Sequence, residues 1–153
     1  MRHRQAIALL ALIGFFIALY LWLYKIGAIG ALQCGTGACE YVQTSRWAVW
    51  LGLPVAVYGV VGYAALVLVA LVGVRPAFAM RRAPTVLLAT LASGGLLFTL
   101  YLTYLELFVI HALCRWCVGS AVIIAAIWVV AMLGLKSWGV GSGSNPEGGS
   151  STR

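Results

Sequence analysis

Ala6–Tyr24 contains no charged side chain, Trp47–Val74 and Pro84–Leu105 contain none, and Cys114–Leu135 carries only Arg115. About 20 apolar residues span the roughly 30 Å hydrocarbon of a bilayer as a helix. Runs of this length without strict alternation read as helix rather than strand. Composition agrees: 63% of the 153 residues are hydrophobic and 8% are charged, against about 25% charged in a soluble domain. Lipid must therefore solvate part of the surface. The expected fold is all-α integral membrane, a four-transmembrane-helix bundle with an outer loop carrying a short interfacial segment. One membrane domain over 1–136 holds helices at about 6–25, 54–74, 84–105 and 114–135. The Gly/Ser-rich tail, 137–153, has no apolar periodicity and is expected to be disordered.

The first run opens like a secretory leader, with Arg2 and Arg4 ahead of it, but it is longer than a leader core. Small residues follow it, yet Gln33 before Cys34 does not suit lipoprotein cleavage, so a retained helix is expected. The second run exceeds one crossing. Pro54 suits a first helical turn, which leaves Trp47 and Trp50 in the interface. Glu106 interrupts the third run. Leu107–Leu113, with His111, then lies at the surface or extends the helix. Basic residues orient the bundle: Arg2, Arg4, Arg75, Arg81, Arg82, Lys136 and Arg153 fall on one side, and Lys25, Arg46 and Arg115 on the other. Excess Lys and Arg stay cytoplasmic. Both termini are thus expected inside, and the regions around 27–46 and 106–117 outside. The net charge of +7 is scattered over helix ends, so it indicates topology and no nucleic-acid partner.

Function is carried by four cysteines. Cys34 and Cys39 lie in the first outer loop, Cys114 and Cys117 where the fourth helix begins. Residues i and i+3 share a helix face, with Cα atoms roughly 5–6 Å apart, within disulfide range. A helix N-terminus favours a thiolate, Arg115 adds charge, and a site half in lipid admits a lipid-soluble oxidant. Two glycines among the four residues between Cys34 and Cys39 let the loop double back. A bridge there closes a tiny ring in an exposed, mobile loop, which suits exchange better than support.

In this order and spacing the residues resemble the vitamin K epoxide reductase family of membrane oxidoreductases. The resemblance covers residues 5–136. It rests on Cys34 and Cys39, then Thr44-Ser45-Arg46-Trp47, Gly52-Leu53-Pro54, Tyr58-Gly59 with Tyr63, and Cys114-x-x-Cys117 followed by Ser120-Ala121. The bacterial disulfide-bond formation protein B family also has four helices and two cysteine pairs, but in the reverse order. The resemblance implies an electron path. Cys34 exchanges with a thioredoxin-like partner and passes electrons to Cys39. Cys39 reacts with Cys114, and Cys117 faces a quinone of menaquinone or ubiquinone type. It also implies that Ser45 holds the reactive loop, and that Tyr58, Tyr63 and the position of Ala121 belong to the quinone pocket. Animal members have asparagine where Val55 stands and tyrosine where Ala121 stands. These departures favour the prokaryotic branch, which reduces quinone to drive disulfide formation in the bacterial inner membrane. Many prokaryotic members carry a fused thioredoxin-like domain. The polar tail here implies a separate periplasmic partner.

Two other readings are open. A soft-metal transporter would use the thiols as ligands, although C-x4-C in lipid suits a metal poorly and no resident metal is expected. A purely structural subunit would make the cysteines dispensable. Glu106 reads as a solvated interfacial carboxylate or as a proton carrier. His111 reads as a bland interfacial residue or as a tuner of Cys114. Gly59-x-x-Gly62 and Ser93-Gly94-Gly95 read as helix contact points, and Tyr101 and Tyr104 as belt residues.

Overall fold

The computed structural model describes residues 2–35 and 38–140. Helix α1 (Arg2–Lys25) leads through a loop to a short helix α2 (Ala38–Thr44), a 3-10 turn (Arg46–Ala48) and a hairpin of β1 (Val49–Trp50) and β2 (Leu53–Pro54). Then come α3 (Val55–Val74), one turn of α4 (Pro76–Ala79), α5 (Ala83–Tyr104), a π-helical extension (Leu105–Ile110) and α6 (Arg115–Val140). Among the described residues four helices are long and apolar enough to cross a membrane: Arg2–Lys25, Val55–Val74, Ala83–Ile110 and Arg115–Ser137. The chain is a multi-pass membrane protein.

Lipid supplies no hydrophobic force between helices, so close approach must hold them. Helix α1 packs on α3 and α6, and α5 closes the ring against both. The shared core is rich in alanine (Ala11, Ala18, Ala70, Ala89, Ala92, Ala131), interleaved with Ile7, Leu66, Leu88 and Ile127. A Cβ at Gly59 would lie 3.1 Å from that of Ala18, and one at Gly14 would run into the Tyr63 ring. Gly62 and Gly94, expected to be contact points, are not. A Cβ at either meets nothing within 4 Å, because their face borders a cavity. Large apolar side chains such as Phe16, Leu68, Leu97 and Val122 point outward.

The helices outrun their apolar stretches. Helix α1 starts at Arg2, and α6 continues through 137–140, four residues assigned to the tail from sequence; 141–153 lie outside the described residues. Hydropathy marks where lipid ends, whereas a helix persists as long as its carbonyls find donors. At this end Arg4, only 2% exposed, ties three elements together. Its guanidinium donates to Thr85 Oγ1 at 2.9 Å, to the Arg81 carbonyl at 2.8 Å, to the Phe78 carbonyl at 3.2 Å and to the Gly73 carbonyl.

At the other end the hairpin turns on Leu51 (φ 51°) and Gly52 (φ 81°), the two left-handed residues that a two-residue turn of matching twist demands. It sets Trp50 against Tyr58 and Phe98, with ring centroids 5.5 and 5.7 Å away.

Candidate active site

All four cysteines gather at the end of the bundle opposite Arg4. The loop after α1 is stitched down by side chains. Tyr20 Oη accepts the Gln33 N–H at 3.1 Å, and Glu40 Oε1 accepts the Leu32 N–H at 3.2 Å. Lys25 Nζ donates to the Gln43 carbonyl at 2.7 Å, and Arg115 reaches from α6 to the Cys34 carbonyl at 3.4 Å. Gly35 takes φ +74°, which glycine adopts freely. Cys34 and Cys39 form a disulfide with Cα atoms 6.1 Å apart. From its sequence this bridge is expected in an exposed loop. Instead Cys34 is 1% and Cys39 0% exposed, because Leu21, Leu32, Val42, Ala56 and Cys114 close around them.

Cys114 and Cys117 are free thiols. The sulfurs of Cys34, Cys39 and Cys114 lie within 4.8 Å of one another, so a thiol of one pair is in reach of the bridge of the other. Cys114 precedes the first turn of α6, and its carbonyl accepts the Val118 N–H at 2.9 Å. A hydrogen bond from the Cys117 thiol holds the Cys114 thiol below its ordinary pKa, helped by the N–H groups of Cys117 and Trp116. Burial and the Glu106 carboxylate push the other way. His111, weighed as a tuner of Cys114, is exposed in a left-handed turn and takes no part in this balance.

Cys117 opens onto a cavity of about 410 Å³ between α3, α5 and α6. Its wall is mostly apolar, with Tyr58, Tyr63, Gln43, Ser120 and Glu106 as its main polar members. Tyr63 Oη donates to the Ser120 carbonyl and meets Ser120 Oγ, each at 2.9 Å, and Tyr58 Oη donates to the Trp50 carbonyl at 3.0 Å. Ala121 is not on this wall; its neighbour Ser120 is, since one residue turns a helix by about 100°. Ser45 donates to the Val42 carbonyl at 2.7 Å, ending α2, and borders a smaller void with Gln43, Glu106 and Cys117.

Two residues stand nearer the chemistry than the sequence reading allowed. Glu106 is 5% exposed rather than solvated. The π-helical turn carries it inward, where Oε2 accepts the Cys114 N–H at 3.2 Å and the carboxyl borders the same two voids as Cys117. Its signal in the sequence was an acid inside an apolar run. Gln43 is 7% exposed, lines both voids, and its side-chain amide makes no hydrogen bond among the described residues. A lone glutamine in a loop gave no such signal.

A thiol beside a bridge, and its partner thiol on an apolar cavity, can move an electron pair from loop to lipid. The sequence matches the model of the vitamin K epoxide reductase family over residues 5–132. With this match over most of its length and both cysteine pairs at one end of the bundle, the chain belongs to the vitamin K epoxide reductase family and is a membrane thiol–disulfide oxidoreductase.

Proposed function

We propose that the protein oxidises a thioredoxin-like protein on the outer face of a bacterial plasma membrane and passes the electrons to a quinone. The observation that carries this reading is the meeting of three sulfurs within 4.8 Å while the fourth borders the cavity. Among the described residues, six of nine basic side chains at the far end support cysteines facing outward, into a compartment where disulfides persist.

The partner's thiolate attacks Cys34, Cys39 leaves as a thiolate, and the partner's second thiol closes its own disulfide. Cys39 then attacks an oxidised Cys114–Cys117 bridge at Cys114, and Cys117 departs as a thiolate. Cys34 attacks Cys39, which restores the loop bridge and leaves Cys114 and Cys117 reduced. The pairing seen here, a loop bridge beside two free thiols, corresponds to that last state. Burial of Cys34 shields the loop bridge from a second partner until the loop lifts, with Ser45 holding the end of α2 in place.

The cavity suits a flat, largely apolar head group. A quinone bound there would accept two electrons and two protons. The unpaired Gln43 amide can donate to a carbonyl oxygen, Tyr58 and Phe98 offer ring faces at one wall, and Tyr63 with Ser120 forms the floor. Ser120 takes the part expected of Ala121.

Mixing the protein with a reduced thioredoxin-like protein and quinone, and following quinone absorbance, tests the reading. The native chain bleaches the quinone, and each single cysteine replacement stops it. Cys34→Ser and Cys117→Ser accumulate a Cys39–Cys114 disulfide. Full turnover in Cys39→Ser would remove the relay. The metal-transport reading needs further ligands along the bundle, and among the described residues these cysteines are the one such grouping.

A further inference from the structure

Oxidising a dithiol with a quinone moves two protons as well as two electrons, so the apolar end of this bundle needs a carrier for them. Four of the six hydroxyls on the cavity wall donate to backbone carbonyls. Tyr63 donates to the Ser120 carbonyl, Tyr58 to Trp50, Thr90 to Val86 and Thr103 to Thr99. Glu106 alone joins three features. It lines the cavity, it borders a second void together with Cys117, and it is anchored through the Cys114 N–H. Among the described residues this is the one acid within the cavity wall. Such a group in lipid has little reason to be there other than chemistry.

We propose that Glu106 is a catalytic proton carrier: its carboxylate takes the proton of the Cys117 thiol as the Cys114–Cys117 disulfide forms, and delivers it into the cavity to the acceptor oxygen that gains the electron pair. Cys114, as a thiolate, attacks the Cys117 sulfur, and the S–S bond forms as two electrons leave through Cys117. The second proton is the one Cys114 gives up on becoming a thiolate, which the same carboxylate takes first and delivers to the same acceptor. Two thiols thus become one disulfide, the acceptor gains two electrons and two protons, and Glu106 ends as it began. The anchoring bond from the Cys114 N–H keeps one oxygen fixed and leaves the other for transfer. This role rests on the quinone-reducing reading above.

Glu106→Gln separates transfer from anchoring, because an amide oxygen still accepts the Cys114 N–H but carries no proton. In single turnovers, exchange between the loop pair and Cys114, followed by alkylation without quinone, does not fall below its native rate, because the amide removes the negative charge that opposes the Cys114 thiolate. Quinone-linked oxidation of Cys114 and Cys117 falls by about 100-fold, the scale of one positioned acid–base group, and Glu106→Asp recovers part of it. Infrared difference spectra of the whole protein, dithiol minus disulfide with no quinone present, contain a carboxyl band that Glu106→Gln abolishes. A native quinone step in Glu106→Gln, equal loss of both steps, or a spectrum without that band overturns the proposal. If Glu106→Gln does not assemble, the native protein decides: a slowed quinone step in deuterated water with the band present supports it, and no slowing or no band sinks it. Failure of the native protein to reduce quinone would refute the reading under Proposed function, whereas the band reports on Glu106 and Cys117 independently.

Discussion

The charge balance at Cys114 is set by its immediate neighbours. The Cys117 thiol is the largest contributor, donating a hydrogen bond that keeps Cys114 below its ordinary pKa. A depressed thiol pKa means that thiolate persists to lower pH, so Cys114 stays nucleophilic where an ordinary thiol is protonated. With Cys34 and Cys39 both replaced by serine, so that neither can bridge to it, Cys114 alkylation followed by mass spectrometry should reach its plateau at lower pH when Cys117 is present. Cys117→Ala moves the profile to higher pH and slows labelling at neutral pH. Gln43→Leu tests a second contact: loss of one neutral donor to a carbonyl raises the apparent KM for quinone by about tenfold, while exchange with the thiol partner is unchanged. The four cysteines were legible from spacing because chemistry constrains their type. Glu106 was legible as a candidate, but its burial was not. That depends on a π-helical turn re-aiming the side chain, and apolar periodicity does not encode one extra residue per turn.

At the scale of the helices, glycine position decides what is contact and what is void. The sequence shows Gly14, Gly59, Gly62, Gly94 and Gly95 as similar small residues in apolar runs. The fold separates them: Gly14 faces the Tyr63 ring, Gly59 faces Ala18 and Gly95 faces Ile124, while a Cβ at Gly62 or Gly94 would point into the cavity and meet nothing. Spacing alone could not divide them, because the cavity exists only once α3, α5 and α6 are docked. Gly14→Ala must displace the Tyr63 ring and its two bonds to Ser120. It should lower stability by about 1–3 kcal/mol, as overpacking does, and reduce quinone affinity with it. Gly62→Ala is the matched control. It meets nothing and gains helix propensity, so its thermal stability in detergent should equal or exceed the native value. Equal melting points for native and Gly14→Ala would show that α1 does not seat Tyr63. The four crossings themselves were readable from hydropathy, since lipid imposes their length. The 3-10 turn and the hairpin between α2 and α3 were not, because they are set by turn geometry at Leu51 and Gly52 rather than by a water–lipid boundary.

The whole molecule has one end built for exchange and one built to hold. Exchange needs a loop that can lift from α1 and α6, and this is tolerable only if the helices stay registered elsewhere. Arg4 supplies that registration. Its side chain satisfies the Gly73 carbonyl at the end of α3, the Phe78 and Arg81 carbonyls in the connection, and Thr85 at the start of α5. In the sequence Arg4 reads only as a topology charge, because a basic residue at a helix end is explained by that alone; its second role needs segments 69 to 81 residues distant to arrive around it. Arg4→Met keeps much of the volume but leaves several buried carbonyls without a donor, at about 1–3 kcal/mol for each that stays dry. Arg4→Lys restores the charge without the planar fork. If registration rather than orientation is the main role, both variants lower the melting temperature, Arg4→Lys by less. Each still inserts with the cysteines outward, since five basic residues remain on that side among the described ones in Arg4→Met. In both, the ratio of Cys39–Cys114 trapping to total cysteine should fall with temperature earlier than in the native chain, as the two sulfur pairs lose alignment from the far end. Native melting with scrambled orientation in Arg4→Met would mean that Arg4 acts through topology alone.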